Sequence, residues 1–222
     1  MLKALFVDID GTITDARRRA ELEAVEVLRR LEERVKVVLT SGNVLPVAYG
    51  VRQFIGLTGP IIAENGGVVL YEGNVEVLAK IDEVERFFNF AKERVRMERI
   101  FTDRWRVTEI AVNPDADYEK IVELSRNFSV RVERTGFAIH IMPAEVSKAK
   151  AMNYLCKKLG IEPWECGAIG DGDNDAEMLE IAGFSGAPAN ASALAKRKAK
   201  YVARESYGRV FIEIVEKFIY TQ

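Results

Sequence analysis

The feature that most constrains this chain lies at its start. Residues 2–7, Leu-Lys-Ala-Leu-Phe-Val, form an apolar run with a single charge that stops at Asp8-Ile9-Asp10-Gly11-Thr12. Such a run, bounded by turn-forming residues, reads as a buried strand. Burying it makes sense if Asp8 and Asp10 emerge at a sheet edge, where Gly11 lets the chain turn sharply and both carboxylates border one crevice. Ligands of open α/β sheets bind there, beyond the carboxyl ends of the strands. Two carboxylates this close repel each other unless a cation compensates them, and oxygen-only ligands point to a hard divalent ion such as Mg²⁺. Asp, Gly and Thr also favour plain polar turns, so the motif does not decide the matter by itself.

The rest of the chain supplies the frame. Residues 16–34 carry Ala20, Ala24, Leu28 and Leu31 on one helical face, and 35–39 are a second apolar strand. Thr40-Ser41-Gly42-Asn43 follows, with Asn43 expected as the N-cap of a helix that stops at Gly56. A strand, a small hydroxyl turn and a helix point N–H groups and the Ser41 hydroxyl at one spot, suited to an anion, although Ser41 can equally cap the turn. Residues 61–63 form a third strand, and 68–71 with 75–78 a hairpin across Glu72-Gly73-Asn74. This alternation predicts an α/β fold, a doubly wound, mostly parallel sheet with helices on both faces.

The pattern changes at Asp82. A helix over 82–99, a strand over 105–112, a helix over 117–127 and strands over 130–133 and 137–141 suggest an α+β module with an antiparallel sheet. The α/β alternation returns at Ser147, an N-cap for a helix ended by Gly160, and continues to a last helix from Gly208. The expected organisation is a core of 1–81 and 147–222 with residues 82–146 inserted as a second domain.

A strand closing at Ala168-Ile169 runs into Gly170-Asp171-Gly172-Asp173-Asn174-Asp175, a second set of carboxylates at a strand end that can face the same crevice. A calcium EF-hand would need Gly and an acid at the sixth and twelfth loop positions; counted from Asp171 these are Ala176 and Ala182. Asn174 with Glu177 also forms a capping-box pattern.

Bulk properties narrow the function. Across 222 residues the formal net charge of −2 argues against a nucleic-acid or anionic-membrane partner, and the basic run Lys196-Arg197-Lys198 reads as a solvated helix end. The N-terminal apolar run is too short for a signal peptide and no stretch approaches a membrane span, so a cytoplasmic protein is expected. Cys156 and Cys166 lack metal or redox spacing and read as packing residues, while a single histidine, His140, in an alternating strand pattern, cannot build a His-rich zinc site. Neither a P-loop nor a dinucleotide fingerprint occurs.

Taken together, Asp-x-Asp-Gly-Thr at 8–12, the hydroxyl-Gly step at 41–42, Lys148 at a helix head and Gly-Asp-x-x-Asn-Asp at 170–175 resemble the four motifs of the haloacid dehalogenase superfamily of phosphotransferases. The insertion between the second and third motifs resembles members with an α+β cap of the second type, and within them the archaeal phosphoglycolate phosphatases. The resemblance implies an Mg²⁺-dependent phosphomonoester hydrolase acting on a small phosphorylated metabolite. It makes Asp8 the nucleophile that forms an aspartyl-phosphate and Asp10 the general acid and base. The metal falls to Asp8, the Asp10 backbone carbonyl, Asp171 and Asp175, and the phosphate to Ser41, Gly42, Lys148 and Asn174. On the residues alone Lys150 competes with Lys148. Many relatives have Thr-Gly-Arg where this chain has Ser41-Gly42-Asn43, so help from that arginine is absent. 2-Phosphoglycolate is the substrate the resemblance suggests; a phosphorylated sugar or a phosphomutase reaction through the same intermediate are the alternatives. A homodimer is the default assembly expected.

Overall fold

In the computed structural model, which describes residues 2–218, the first half of the chain runs β1 (Ala4–Asp8), α1 (Leu22–Glu32), β2 (Lys36–Thr40), α2 (Leu45–Phe54), β3 (Ile61–Ala63), β4 (Val68–Tyr71) and β5 (Asn74–Val77). A middle section contains α3 (Asp82–Ala91), β6 (Ile110–Val112), α4 (Tyr118–Ser125), β7 (Val130–Arg134) and β8 (Ile139–Pro143). The last comprises α5 (Lys148–Leu159), β9 (Cys166–Ile169), α6 (Ala176–Ile181), β10 (Phe184–Ala187), α7 (Ala193–Lys198), β11 (Tyr201–Val202) and α8 (Gly208–Phe218).

The main sheet has the order β11-β10-β9-β1-β2-β3-β4-β5, parallel from β11 through β3 and antiparallel at β4 and β5. This is the mostly parallel α/β sheet expected. Its strand order reverses between β1 and β9, and a crevice opens at such a switch point beyond the carboxyl ends of the strands. The period of two along β1 covers both faces. Leu5 and Val7 pack with Leu28 and Leu31 of α1 and with Phe211, whereas Ala4 and Phe6 pack with Met152 and Leu155 of α5 and Met178 of α6. Asp8 continues the Ala4–Phe6 series, which turns its carboxylate toward α5, and the first residue of α5 is Lys148.

The middle section builds a separate antiparallel sheet, β6-β8-β7. Val84 and Phe87 of α3 and Ile121 of α4 pack with Ile110, Ile139 and Ile141 on one of its faces. His140, between two of those isoleucines in β8, points off the other face and is fully buried.

Several expected boundaries move, each for a local reason. The helix expected over 16–34 begins at Leu22, because the Asp15 carboxylate accepts the N–H groups of Arg17 and Arg19 and folds residues 15–19 into a turn; Ala20 is exposed and bridges to Thr14. The helix expected over 82–99 ends at Ala91. The strand expected over 105–112 is confined to Ile110–Val112, since the Glu64 carboxylate captures the N–H groups of Val107 and Thr108. Asn43 and Asn174 do not cap helices: the N-caps of α2 and α6 are Val44 and Asp175, neither making a side-chain capping bond to its helix, and both asparagine side chains turn into the crevice region. β10 was not anticipated, while α7 ends at the basic run 196–198 that reads as a helix end. Ser147 does cap α5, accepting the Lys150 N–H, and Gly160 ends that helix at φ +66°. In the β4–β5 hairpin both Glu72 and Gly73 have positive φ, as a two-residue primed turn requires. Cys156 and Cys166 are buried free thiols, their sulfurs 3.7 Å apart. Among the described residues no helix is long and apolar enough to cross a membrane.

Candidate active site

The turn after β1 is built by Gly11 and Thr14. Gly11 sits at φ +84° and donates its N–H to the Thr14 hydroxyl at 3.0 Å, while Ile9 is bonded back to Thr40 of β2. The glycine is required twice over, because a Cβ there would lie 2.2 Å from Asp171 Oδ2. Its absence lets the loop after β9 close against the end of β1. Thr12 Oγ1 donates to Asp171 Oδ1 at 3.4 Å, and the Asn190 side-chain amide donates to the Gly11 carbonyl at 3.2 Å and to Asp171 Oδ2 at 3.4 Å.

Carboxylate oxygens of Asp8, Asp171 and Asp175 come within 4.8 Å of one another. Into this group reaches the Lys148 ammonium, which donates to Asp8 Oδ1 at 2.5 Å and to Asp175 Oδ1 at 2.6 Å. Asp175 also accepts the Gly172 N–H at 2.9 Å, which fixes the loop. Lys150 has no such contact among the described residues; its N–H merely completes the cap of α5, so Lys148 is the lysine at the centre.

The electrostatics follow from burial. The Asp8 carboxyl is pushed well above the usual carboxylate range by desolvation and by Asp175, Asp171 and Asp10, against the pull of Lys148. Asp171 is raised to about 7, by burial first and Asp175 second. Burial would lower the Lys148 ammonium, but the Asp175 and Asp8 carboxylates reverse that and hold it above its ordinary value. Two buried carboxylates and the partly buried Asp171 against one ammonium leave an excess of negative charge, and the donors are all hard oxygens. That arrangement fits a divalent cation, which would relieve the repulsion and keep all three ionised.

Asp10 lies apart from this cluster. Its carboxylate accepts the Asn43 side-chain N–H at 3.0 Å on one oxygen and Arg18 Nε at 2.7 Å on the other. Ser41 is buried beside the cluster, and its Oγ accepts the Asn43 N–H at 2.9 Å while its own hydroxyl proton is engaged by no described residue. The Ser41 turn-capping alternative is therefore realised, with a donor left over.

Asn174 reaches neither Asp8 nor Asp171. Its side-chain N–H donates to Asn65 Oδ1 at 2.8 Å, and Asn65 in turn donates to Glu109 Oε2 at 2.9 Å. Glu109 also takes Arg106 Nη1 and the His140 ring, and Arg106 Nη1 donates to the Gly42 carbonyl at 3.0 Å. This buried chain ties residues 106–109 of the middle section to the loops after β2, β3 and β9. Burial lowers the His140 imidazole to about 3, with Arg106 adding to the effect, and lowers Arg106 to about 10. A neutral histidine bonded to Glu109 and to the Thr135 hydroxyl is a structural residue, as its strand pattern suggested.

Sequence reasoning assigned no site role to Arg18, Glu64, Asn65, Arg106, Glu109 and Asn190. Glu64-Asn65-Gly66-Gly67 at a strand end was the available signal for two of them; the others are brought together only by the fold.

Asp8, Asp10, Arg18, Gly42, Phe137 and Asp171 line a cavity of about 420 Å³, a size for a small metabolite and not for a polymer. A larger depression of about 590 Å³ lies at the amino ends of β1 and β2, but the Glu32 carboxylate in it is engaged by the N–H groups of Thr58 and Gly59, and no metal-binding group of acids forms there among the described residues.

With this geometry in hand, comparison with known proteins is informative. The family model described as haloacid dehalogenase-like hydrolase matches residues 5–129 and 106–207. A phosphoglycolate phosphatase of Methanothermobacter thermautotrophicus is 39% identical over 98% of this chain and 99% of its own length, and one of Methanoculleus marisnigri is 38% identical over 98% of this chain and 97% of its own. The solved structure of Thermoplasma acidophilum 0175 superposes with a TM-score of 0.89 at 30% identity, covering 98% of each chain. On these grounds the chain belongs to the haloacid dehalogenase-like hydrolases.

Proposed function

We propose that this chain is an Mg²⁺-dependent phosphomonoester hydrolase that works through an aspartyl-phosphate on Asp8 and that takes 2-phosphoglycolate, releasing glycolate and phosphate. The observation that carries the reading is the Lys148 ammonium held between Asp8 and Asp175 with Asp171 alongside. The names of the archaeal relatives support the substrate.

A phosphate monoester is a dianion, and a carboxylate must overcome its repulsion before any bond forms, so charge compensation is most of the catalysis. The carboxylates of Asp8 and Asp171, Asp175 directly or through water, and the backbone carbonyl of Asp10 would hold Mg²⁺, which would supply part of that compensation. Lys148 and the free hydroxyl proton of Ser41, with N–H groups of the Gly42 turn, supply the remainder. Asp8 attacks phosphorus and forms the acyl phosphate as the bond from phosphorus to the alcohol oxygen breaks, and Asp10 gives that oxygen its proton. The ionised Asp10 then takes a proton from water, whose oxygen attacks phosphorus and displaces the Asp8 carboxylate, releasing phosphate. The hydrogen bonds that Asn43 and Arg18 donate to Asp10 keep its carboxylate out of the cluster around Asp8 and stabilise its ionised form, which favours its role as base in the second step. Residues 82–146 act as a cap over the crevice, excluding water and choosing the leaving group.

The test is phosphate release from a panel of phosphomonoesters with and without Mg²⁺, for the wild type and Asp8→Asn. Mg²⁺-dependent release, a preference for 2-phosphoglycolate and loss of turnover in the folded variant are expected. Substantial activity in Asp8→Asn would remove Asp8 as nucleophile, and transfer of phosphate to a second acceptor would replace hydrolysis by phosphotransfer.

A further inference from the structure

The cavity that holds Asp8, Asp10 and Asp171 is rich in acids, Asp15 and Asp173 included, and Arg18 and Arg134 are the arginines that line it, with Phe137 beside them at what we call its rim. In-line attack by Asp8 puts the departing oxygen on the far side of phosphorus, next to Asp10. Whatever the substrate carries on that oxygen therefore extends toward this rim.

Arg18 is presented there by a deliberate piece of backbone. It sits at φ +61°, uncommon for a residue with a side chain, in the turn organised by the Asp15 carboxylate, and residues 16–20 are exposed, so core packing does not demand the conformation. The guanidinium stacks on the Phe137 ring with Cζ 4.5 Å from its centre, and Phe137 is set edge-on against the buried His140 ring. Only Nε is engaged, by Asp10; the two terminal nitrogens make no hydrogen bond to any described residue. The other arginine at the rim, Arg134, already donates to the Pro114 carbonyl at 2.6 Å.

From this geometry we propose that Arg18 determines specificity by reading a carboxylate on the leaving group, so that the preferred substrates are short phosphate esters of 2-hydroxy acids. The inference rests on the phosphatase reading above and deepens it. A carboxylate one carbon from the ester oxygen comes within reach of a guanidinium that is itself bonded to Asp10. The terminal nitrogens donate to the two carboxylate oxygens in a fork while Nε stays on Asp10. Phe137, stacked on the guanidinium, steadies it at the cavity wall, so the fork is best met by a carboxylate on a leaving group of about two carbons. Arg18 thus aligns the alcohol oxygen with Asp10 through the carboxylate and offsets the acids of the cavity, which would otherwise repel a second anionic group.

The experiment compares kcat/KM for 2-phosphoglycolate and for ethyl phosphate, in which a methyl replaces the carboxylate, using wild type, Arg18→Met and Arg18→Lys at one Mg²⁺ concentration. The readout is the ratio between the two substrates, so any general loss of rate through Asp10 cancels. Charged hydrogen bonds of this kind correspond to a fall in the ratio of roughly 10- to 150-fold in Arg18→Met, expressed mainly in KM, with Arg18→Lys recovering part of it. An unchanged ratio in Arg18→Met, even with both rates lowered, would overturn the specificity role while leaving the phosphoglycolate reading intact. A wild type without preference between the two esters would overturn both.

Discussion

Lys148→Met removes the one ammonium from the buried cluster while keeping a side chain of similar length. The lysine side chain is 0% exposed, and its partners Asp8 and Asp175 are 7% and 1% exposed, so solvent cannot replace the lost charge. Breaking a buried ion pair by deleting one partner costs about 3–5 kcal/mol, because the remaining charge is left uncompensated. Here two carboxylates are orphaned, and the full cost applies only while both are ionised. Asp8 is already held above the usual carboxylate range by burial, and loss of Lys148 raises it further. The native variant then keeps a proton that the unfolded chain releases, so its stability relative to wild type falls as pH rises above the ordinary carboxylate value and recovers as pH falls toward it. Urea unfolding in EDTA at pH 5 and pH 8 reads this directly: a deficit of about 3–5 kcal/mol at pH 8, markedly smaller at pH 5. Added Mg²⁺ narrows the deficit at pH 8 because the variant, with no ammonium competing for Asp8 and Asp175, binds it more tightly than wild type, about 1.4 kcal/mol for each tenfold in Kd. A variant within about 1 kcal/mol of wild type at pH 8, less than the cost of breaking a buried pair, or a deficit independent of pH, would refute the account of the cluster.

Two further outcomes are expected. Gly11→Ala places a Cβ 2.2 Å from Asp171 Oδ2 at a backbone φ of +84°, so it displaces Asp171 and weakens Mg²⁺ binding, read by titration calorimetry, while the melting temperature drops only a few degrees for a strain of about 1–2 kcal/mol. His140 is held near 3 against an ordinary value of 6.5; the unfolded chain therefore takes up a proton that the native protein refuses, and stability falls as pH drops from 6.5 toward 3. His140→Gln lacks that group, so between pH 6 and pH 4 its stability is expected to fall less steeply than wild type by about 1.4 kcal/mol per pH unit, measured by urea unfolding.

What could be read from the chain in advance was set by how local its causes are. The run into Asp8 and the loop at 170–175 are legible because a strand and the carboxylates at its end are neighbours in sequence, and a parallel sheet then has one edge at which to collect them. Ser147 announced the start of α5, but the choice of Lys148 over Lys150 came from the resemblance alone and is settled only by the contacts of Lys148 with Asp8 and Asp175. The failures are equally physical. Residues 15–20 look helical by composition, but the Asp15 side chain outcompetes the helix for the N–H groups of Arg17 and Arg19. Residues 105–109 alternate like a strand, yet Glu64, far away in sequence, takes two of the N–H groups that a ladder would need. β10 consists of Phe-Ser-Gly-Ala, without the β-branched residues that mark a strand, and forms because β9 and β11 flank it.

The same contrast between local and distant causes separates the two aspartates of the first motif. Asp8 is the last residue of a fully buried strand, and the alternation that sends Phe6 into the α5 face sends Asp8 there too, against an ammonium that only the fold can deliver. Asp10 falls beyond the strand, where Gly11 turns the chain, and meets Asn43 and a half-exposed arginine instead. Two residues of separation thus place identical carboxylates in different dielectric and hydrogen-bonding environments, so that Asp8 depends on Lys148 and a bound cation to stay ionised while Asp10 is held by Asn43 and Arg18 outside the cluster. In a chain with Asn43 where many relatives are expected to carry an arginine, the cation that steadies Asp10 comes from Arg18 in the turn at 15–19. Exchanging Asn43 for Arg would set two guanidinium groups against one carboxylate, and the rim of the cavity rather than the cluster around Asp8 would feel the change.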